Sequence, residues 1–260
     1  MARQISKALI ILLVAGSYFG LPSRAQDDTK NSGPLSLVIQ YSVAPAQRAR
    51  FREHLEKEGL EYLSRLKTDG VLSDYHLLFS RYVDNASWDA LSLLEFPNYD
   101  AVARWKRVES STPAGLPQTA LDLTESIGTY PVDLFRSAAA ASAAPHAVFL
   151  VIPYTTSVSM TEYCKYADAY VRPQFEGWMK EGILNGYQMY LQRYTAGRPW
   201  DVLIFLRYID DESFGQRERI VAKVRAELQS NPVWKAVSDN KQNVRVEHQA
   251  VIADELSSYR

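Results

Sequence analysis

The chain has 260 residues, of which 47% are hydrophobic and 23% are charged, a balance that is typical of globular proteins and excludes disorder as the main state. Its 29 basic and 30 acidic residues give a net charge of −1. Proteins that bind nucleic acid cluster Lys and Arg on one face. No such cluster occurs in this sequence, so we expect no nucleic-acid partner.

The N-terminus has the pattern of a signal peptide. Arg3 and Lys7 precede an apolar run, and a small-x-small cleavage site ends at Ala25. We therefore expect a signal peptide at 1–25, a polar leader at 26–34, and an exported protein that is periplasmic or secreted. An uncleaved N-terminal anchor is the alternative. No later apolar run approaches the roughly 18 residues that cross a bilayer, so we expect no membrane span after signal cleavage.

The remainder of the sequence contains one pattern twice, at a constant spacing of 112 residues. The doubled positions are Tyr75 and Tyr187, Arg81 and Arg193, Tyr82 and Tyr194, Trp88 and Trp200, and Asp89 and Asp201. Two long copies indicate duplicated domains rather than a solenoid of short units. The expected segments are a first repeat at 35–136, an Ala/Ser linker at 137–146, a second repeat at 147–250 and a C-terminal tail at 251–260.

Each repeat is predicted to run strand, helix, strand, strand, helix, strand. Apolar residues alternate over 35–43, which indicates a strand, and the following segment has apolar residues at helical spacing. A β-hairpin then follows, and Asn98 and Asp210 have the residue types that cap the next helix. The last strands are predicted around 130–135 and 243–249.

This order of elements is that of the ferredoxin-like split β-α-β unit, in which two helices cover one face of a four-stranded sheet. The segment 200–208 is apolar at odd and even positions alike, so this strand must be buried on both faces. With helices on one face, the sheet of the sister repeat is the simplest cover for the other. We therefore predict an α+β fold in which two ferredoxin-like β-α-β-β-α-β repeats pack sheet to sheet as an intramolecular pseudo-dimeric α+β barrel.

At this point the sequence resembles the dimeric α+β barrel superfamily, and within it the NIPSNAP-like, Dabb-like and antibiotic-biosynthesis monooxygenase-like families. The resemblance covers nearly all of 35–249. It depends on the glycines at 70 and 182 with their following Val/Ile-Leu pairs, on the strands 75–82 and 187–194, and on the Trp-Asp pairs at 88–89 and 200–201. These families include oxygenases, haem enzymes, lyases and binding proteins, so the resemblance implies a fold and leaves the reaction open.

The doubled aromatic and arginine positions are the candidate ligand-binding residues. Arginine offers a planar fork for a carboxylate, and aromatic rings offer apolar contact area. The candidates are Tyr75, Arg81, Trp88, Tyr187, Arg193 and Trp200. The structural alternative is an ion pair across each hairpin, Arg81 with Asp89 and Arg193 with Asp201.

The catalytic candidates are His76, Arg81 and Tyr82. His76 is the only histidine inside a predicted strand, and Gln188 takes its place in the second repeat. A titratable group in one repeat alone is how a duplicated scaffold confines chemistry to one half. No His, Cys, Asp or Glu set occurs at metal-ligand spacing, so we expect no metal site, and we also predict no cofactor.

Three functions remain. We expect a small-molecule-binding or scaffold protein, whose partners are an apolar or aromatic small molecule and, in a homo-oligomer, other copies of the chain. The first alternative is a cofactor-independent monooxygenase-like enzyme acting on an aromatic small molecule. The second is a haem-binding protein with His76 or His248 as the axial ligand. A large closed pocket on which His76 and Arg81 converge favours the enzyme, and a filled interior favours the scaffold.

Overall fold

A computed structural model of the chain describes residues 35–141 and 144–257. The predicted signal peptide and polar leader, 1–34, lie outside the described residues. Within those two described segments, no helix is long and apolar enough to cross a membrane.

The first repeat folds in the predicted order. Its strands are β1 (Ser36–Val43), β2 (Asp74–Ser80), β3 (Ala90–Glu95) and β4 (Thr124–Ala139). Its helices are α1 (Arg48–His54), α2 (Leu60–Thr68), α3 (Tyr99–Ser111) and the short α4 (Gln118–Leu121). The Asn98 side chain accepts a hydrogen bond from the N–H of Ala101 and caps α3, as predicted.

The second repeat follows the same order and adds one strand near its end. Its strands are β5 (Val148–Thr156), β6 (Leu184–Gln192), β7 (Val202–Tyr208), β8 (Arg245–Glu247) and β9 (Val251–Glu255). Its helices are α5 (Met160–Tyr166), α6 (Arg172–Lys180), α7 (Asp211–Gly215), α8 (Arg217–Leu228) and α9 (Pro232–Asp239). Asp210 caps α7 through the N–H of Ser213, again as predicted.

The strands form a closed antiparallel barrel. The first repeat contributes the order β4-β1-β3-β2 and the second the order β9-β5-β7-β6. Strand β2 pairs with β9 and strand β6 pairs with β4, so both seams between the repeats are hydrogen-bonded. The predicted intramolecular α+β barrel of two ferredoxin-like repeats is confirmed.

The two seams of the barrel are related by the duplication. At one seam Val132 of β4 lies opposite Gln192 of β6, and at the other Ala253 of β9 lies opposite Ser80 of β2. Ser80 and Gln192 are separated by the repeat spacing of 112 residues. Equivalent strands therefore run in the same direction along the barrel, and equivalent ends of the two repeats meet at the same mouth.

The last strand of the second repeat begins later than the sequence pattern predicts, and the prediction of a barrel strand at 243–249 is wrong. Strand β8 covers only part of that segment and pairs with the end of β5 alone. Strand β9, within the predicted C-terminal tail, closes the barrel. Helix α9 and the turn Lys241–Asn243 add residues to the second repeat, so the constant spacing no longer holds beyond them. In the first repeat, β4 continues into the predicted linker.

The barrel interior is filled by side chains from both sheets. In β7, Leu203 and Phe205 face the opposite sheet, whereas Ile204 and Leu206 pack under the helices of their own repeat. All four are almost fully buried, as the apolar pattern on both faces predicts. The interior layer consists chiefly of Val38, Leu78, Leu91, Leu93, Tyr130, Val132, Phe149, Val151, Tyr190, Leu203, Phe205 and Ala253.

A π-helical turn interrupts the first long helix of each repeat at the same place, Leu55–Gly59 in one and Ala167–Val171 in the other. In the second repeat, α6 begins at Arg172, where Pro173 predicts a restart because it lacks a backbone N–H. The first repeat has the same turn without a proline. The turn is therefore common to the duplicated unit, and Pro173 is accommodated at a break that exists without it.

Candidate functional site

Arg81 and Arg193 bind carboxylates across the seams between the repeats. Arg81 donates from Nε and Nη2 to Asp254 at 2.9 and 2.6 Å, and it also contacts Asp211. Arg193 donates from Nε and Nη2 to Asp133 at 3.1 and 2.8 Å. Both arginines thus join the two repeats, and neither pairs with the aspartate across its own hairpin.

The hairpin aspartates turn inward and bind the first strand of their own repeat. Asp89 accepts hydrogen bonds from the N–H of Val43 at 2.9 Å and from Nε of Arg48 at 2.6 Å. Asp201 accepts from the N–H of Thr156 at 2.8 Å. The proposed hairpin ion pairs are therefore absent from the described residues, because each aspartate supplies the acceptor that the end of β1 or β5 lacks.

The candidate tyrosines do not come together. Tyr82 and Tyr194 are 67% and 64% exposed, beyond the ends of β2 and β6. Tyr75 lines an open groove beside α2, whereas Tyr187 is buried under the helices of the second repeat, 5.2 Å from Phe175 between ring centres. No shared site includes these four residues.

His76 faces the barrel interior, whereas Arg81 lies on the helix side of the sheet, where it binds Asp254 and Asp211. Its Nδ1 is 2.5 Å from Oε1 of Glu255, and its ring lies 5.7 Å from that of Phe149. Arg207 approaches the other oxygen of Glu255 at 3.7 Å. His76 and Arg81 therefore do not converge on a pocket, and each is bound to a carboxylate of β9.

The environment of His76 makes folding pH-dependent. Burial by itself lowers the pKa of His76, but the hydrogen bond to Glu255 and the charges of Glu255, Asp74 and Glu95 together raise it above its usual value. A raised pKa in the folded state means that the imidazolium stabilises the fold at low pH, and that this contribution is lost as the pH rises through the folded-state pKa.

We expect His76→Gln, which installs the residue of the second repeat, to remove this pH dependence. Urea unfolding of both proteins between about pH 5.5 and about pH 8.5, a range that brackets the usual histidine pKa, measures it. The parent should lose more stability than the variant as the pH rises. Equal slopes for the two proteins contradict the assignment.

Trp88 and Trp200 are the candidate ligand residues that the fold brings to one cavity. This cavity, which we call the mouth cavity, has a volume of about 490 Å³ and lies at the barrel mouth where β3 and β7 begin. The two tryptophans and Tyr130 form its buried wall, and the ring centres of Tyr130 and Trp200 are 4.9 Å apart. A Cβ at Gly128 would lie 2.5 Å from the hydroxyl of Tyr130, so glycine is required for this ring position.

Polar side chains and small apolar residues form the rest of the mouth cavity. Its other lining residues are Gln40, Ser42, Asn85, Ala86, Ser87, Ser126, Gly128, Pro153, Pro199, His248, Gln249 and Val251. Among these described residues there is no carboxylate. Gln249 donates to Asp84 in the turn between β2 and β3, which joins the two repeats at the rim. The cavity thus combines a buried aromatic wall with polar groups at its rim.

Sequence reasoning missed Tyr130 and His248 as members of this cavity. Tyr130 was visible only as a strand residue, and its counterpart Val251 is displaced from the repeat spacing by the residues around α9 and β8. His248 lies in the loop that this displacement creates. The constant spacing of 112 residues identifies the two tryptophans as equivalent positions. It does not identify the cavity residues on β4 and β9, where the spacing changes.

Two other cavities have different characters. An open groove of about 990 Å³ lies between α2 and β2, and its charged side chains include the ion pair of Lys67 with Asp74 at 2.7 Å. A smaller groove of about 380 Å³ beside Trp105 lies between α3 and the sheet. The larger groove also includes Glu255, Leu256 and Ser257 from the second repeat, and both grooves carry charged side chains on their walls. The mouth cavity is built by both repeats and holds the doubled tryptophans, so we take it as the candidate site.

Neither a family model nor a curated protein matches this sequence. Solved structures match its fold. A candidate monooxygenase from Lactobacillus acidophilus NCFM is 13% identical with a TM-score of 0.55, and the match covers 86% of this chain and 95% of that one. An anthrone oxidase-like protein is 11% identical with a TM-score of 0.51, over 85% of this chain and 90% of that one. At these identities the similarity shows the fold alone.

The prediction that the protein has no cofactor is wrong, because proteins of similar fold include one that binds haem. A haem-binding protein from Thermus thermophilus has a similar structure, with 12% identity, a TM-score of 0.47, and coverage of 86% of this chain and 91% of that one. Absence of a cofactor therefore does not follow from the architecture, and we withdraw it.

The two candidate imidazoles of this chain do not fit an axial role to haem iron. His76 packs against Phe149 within the filled interior, and it is not among the residues that line the three cavities described above. At the mouth cavity, Nε2 of His248 lies 2.5 Å from the hydroxyl of Thr155. We therefore derive no chemistry through haem.

The resemblance to the NIPSNAP-like and Dabb-like families in particular stays a prediction. The fold of the chain is that of a dimeric α+β barrel, with both units in one polypeptide.

Proposed function

We propose that this chain binds a small, flat, aromatic molecule in the mouth cavity, and that it does so as an exported protein. The observation that carries the proposal is that the fold places Trp88 and Trp200, from the two repeats, on the wall of one cavity of about 490 Å³. Small-molecule sites are concave, largely apolar and lined by aromatic side chains, with a few polar groups for orientation.

The character of the wall favours an aromatic ligand. Tyr130 and Trp200 present rings at 46° to each other, and Trp88 adds a third ring from the first repeat. An aromatic pair adds about 0.5 to 1.5 kcal/mol beyond the buried area. The polar groups of Gln40 and Ser42, on β1, supply hydrogen-bonding groups beside these rings.

Tryptophan fluorescence tests the proposal. Titration with naphthalene derivatives should quench the parent saturably, whereas cyclohexane derivatives of similar size should bind at least several-fold more weakly, because they lack the ring interactions. Ser126→Trp, at the exposed rim, should block the cavity, and Trp200→Leu should weaken binding by about tenfold, or about 1.4 kcal/mol.

Tyr82→Leu is the control for these variants, because this exposed tyrosine lies outside the mouth cavity. Its affinity should equal that of the parent. Ser126→Trp changes an exposed residue, so it tests the site even if Trp200→Leu does not fold. Saturable binding that survives Ser126→Trp, or no binding of any aromatic compound, would falsify the proposal.

A second candidate function is oxygenation of the bound molecule. The observation that favours it is the imidazole of His248 on the cavity wall, since an imidazole is suited to remove a proton from a phenolic ligand near neutral pH. The fold similarity to a candidate monooxygenase and to an anthrone oxidase-like protein agrees with it. Oxygen consumption with a bound phenol, lost in His248→Ala, supports the enzyme; retained binding without oxygen consumption leaves the binding protein.

A further inference from the structure

The two hairpin turns at the mouth cavity are equivalent in position but differ in charge. Arg198 and Pro199 of the second repeat take the places of Ala86 and Ser87 in the first. The guanidinium carbon of Arg198 lies 5.5 Å from the ring centre of Tyr130, which is part of the cavity wall. A permanent cation therefore lies beside one half of the cavity, and the equivalent turn in the other half carries none.

The charge of Arg198 is not neutralised by a neighbouring carboxylate. Within 35–141 and 144–257, its guanidinium has the ring contact with Tyr130 and no hydrogen bond or ion pair. In the opposite turn, Asp84 already accepts from Gln249 and from the N–H of Ala86. Asp201, which lies between Arg198 and the start of β7, accepts from the N–H of Thr156. The aromatic wall thus faces an available cation.

We propose that the ligand of the mouth cavity is an aromatic carboxylate, whose ring packs on Tyr130 and Trp200 and whose carboxylate is bound by Arg198. This inference rests on the proposed function and adds the class of ligand. The planar guanidinium fork pairs with both oxygens of a carboxylate, which gives such a contact direction as well as attraction. Because Ala86 occupies the equivalent place in the first repeat, the carboxylate binds at one end of the cavity only.

Naphthoate and its neutral amide, naphthamide, test the inference by fluorescence titration. The parent should bind naphthoate about tenfold more tightly than naphthamide, with a difference that shrinks as salt screens the exposed cation. Arg198→Met should bind naphthamide as the parent does and lose the preference for naphthoate. Arg107→Met removes the same charge from an exposed position on α3 outside the mouth cavity, and it should retain the preference.

The duplication provides a rescue experiment. In the double variant Arg198→Met with Ala86→Arg, the guanidinium returns at the equivalent position of the other turn, and the preference for naphthoate should return with it. Arg198 and Ala86 are both exposed, so thermal melts of these variants should match that of the parent. Such rescue distinguishes a local ion pair from a general effect of net charge.

The outcomes separate this inference from the function on which it rests. Equal binding of naphthoate and naphthamide by the parent overturns the carboxylate and leaves the aromatic site. A preference that survives Arg198→Met also overturns it, because another group then binds the carboxylate. Failure of both compounds, and of the other naphthalene derivatives, overturns the proposed function and this inference together.

Discussion

Replacement of Asp89 by alanine is expected to lower the free energy of unfolding by about 3 to 5 kcal/mol, the usual cost of removing one partner of a buried ion pair. Asp89 is 5% exposed and binds Arg48, whose side chain is 14% exposed. The variant leaves this guanidinium without a carboxylate and the N–H of Val43 without its acceptor. The N–H of Val43 is buried and little of the Arg48 side chain is exposed, so water replaces the lost bonds only in part.

The second repeat contains the matched control. Asp201 makes the equivalent bond to the N–H of Thr156, but no arginine is bound to it in the part of the chain that the structure describes. Asp201→Ala should therefore cost only about 1 to 3 kcal/mol, the range for a backbone donor left unsatisfied. Urea unfolding at neutral pH measures both variants. Equal losses would show that Arg48 does not add to the role of Asp89.

Phe205→Ala is expected to destabilise both repeats together, by about 3 to 5 kcal/mol, the usual range for truncating a buried phenylalanine. Phe205 is 1% exposed and lies between the two sheets, edge-on to Tyr190 at 5.8 Å. The interior layer receives side chains from both repeats, so a cavity there weakens the surface that each sheet buries on the other.

Circular dichroism and tryptophan fluorescence should report one coincident unfolding transition for Phe205→Ala, at lower urea concentration than for the parent. Phe214→Ala is the control, because Phe214 is only half-buried and packs on Tyr208 on the helix side of the second repeat. It should cost about 1 to 2 kcal/mol. Two separate transitions in Phe205→Ala would contradict a barrel that unfolds as one unit.

The filled interior also decides between two sequence-based hypotheses. A large closed pocket with His76 and Arg81 converging on it favours an enzyme, yet His76 faces the barrel interior and Arg81 binds Asp254 and Asp211 on the helix side of the sheet. The barrel interior is packed with apolar side chains. The remaining space is the mouth cavity, which is why binding is proposed first and oxygenation second.

Several features could be predicted because they depend on residues close together in the sequence. The caps at Asn98 and Asp210 follow from the preference of short polar side chains for exposed backbone N–H groups. The burial of β7 on both faces follows from its apolar residues at odd and even positions. The duplication is visible in the sequence because the extra residues around α9 and β8 come after most of the positions that the two repeats share.

Other features could not be predicted because they depend on which strands meet. Arg81 pairs with Asp254, 173 residues away, across a seam whose register is set by the closed barrel. The sequence pattern indicates the hairpin partner Asp89 instead, since the two are near in the chain. A shift of one residue in strand pairing moves every side chain to the other face, so a local pattern cannot identify such partners.

By itself, then, the sequence determined the order of elements, their duplication and the need for a second sheet over each exposed sheet face, all consequences of periodic apolar burial. The tertiary structure alone decided that β9 closes the barrel, that Arg81 and Arg193 join the repeats, and that Trp88 and Trp200 meet at one mouth cavity. The physical reason is that these contacts form only when the two seams are closed, and closure depends on the combined packing of both repeats.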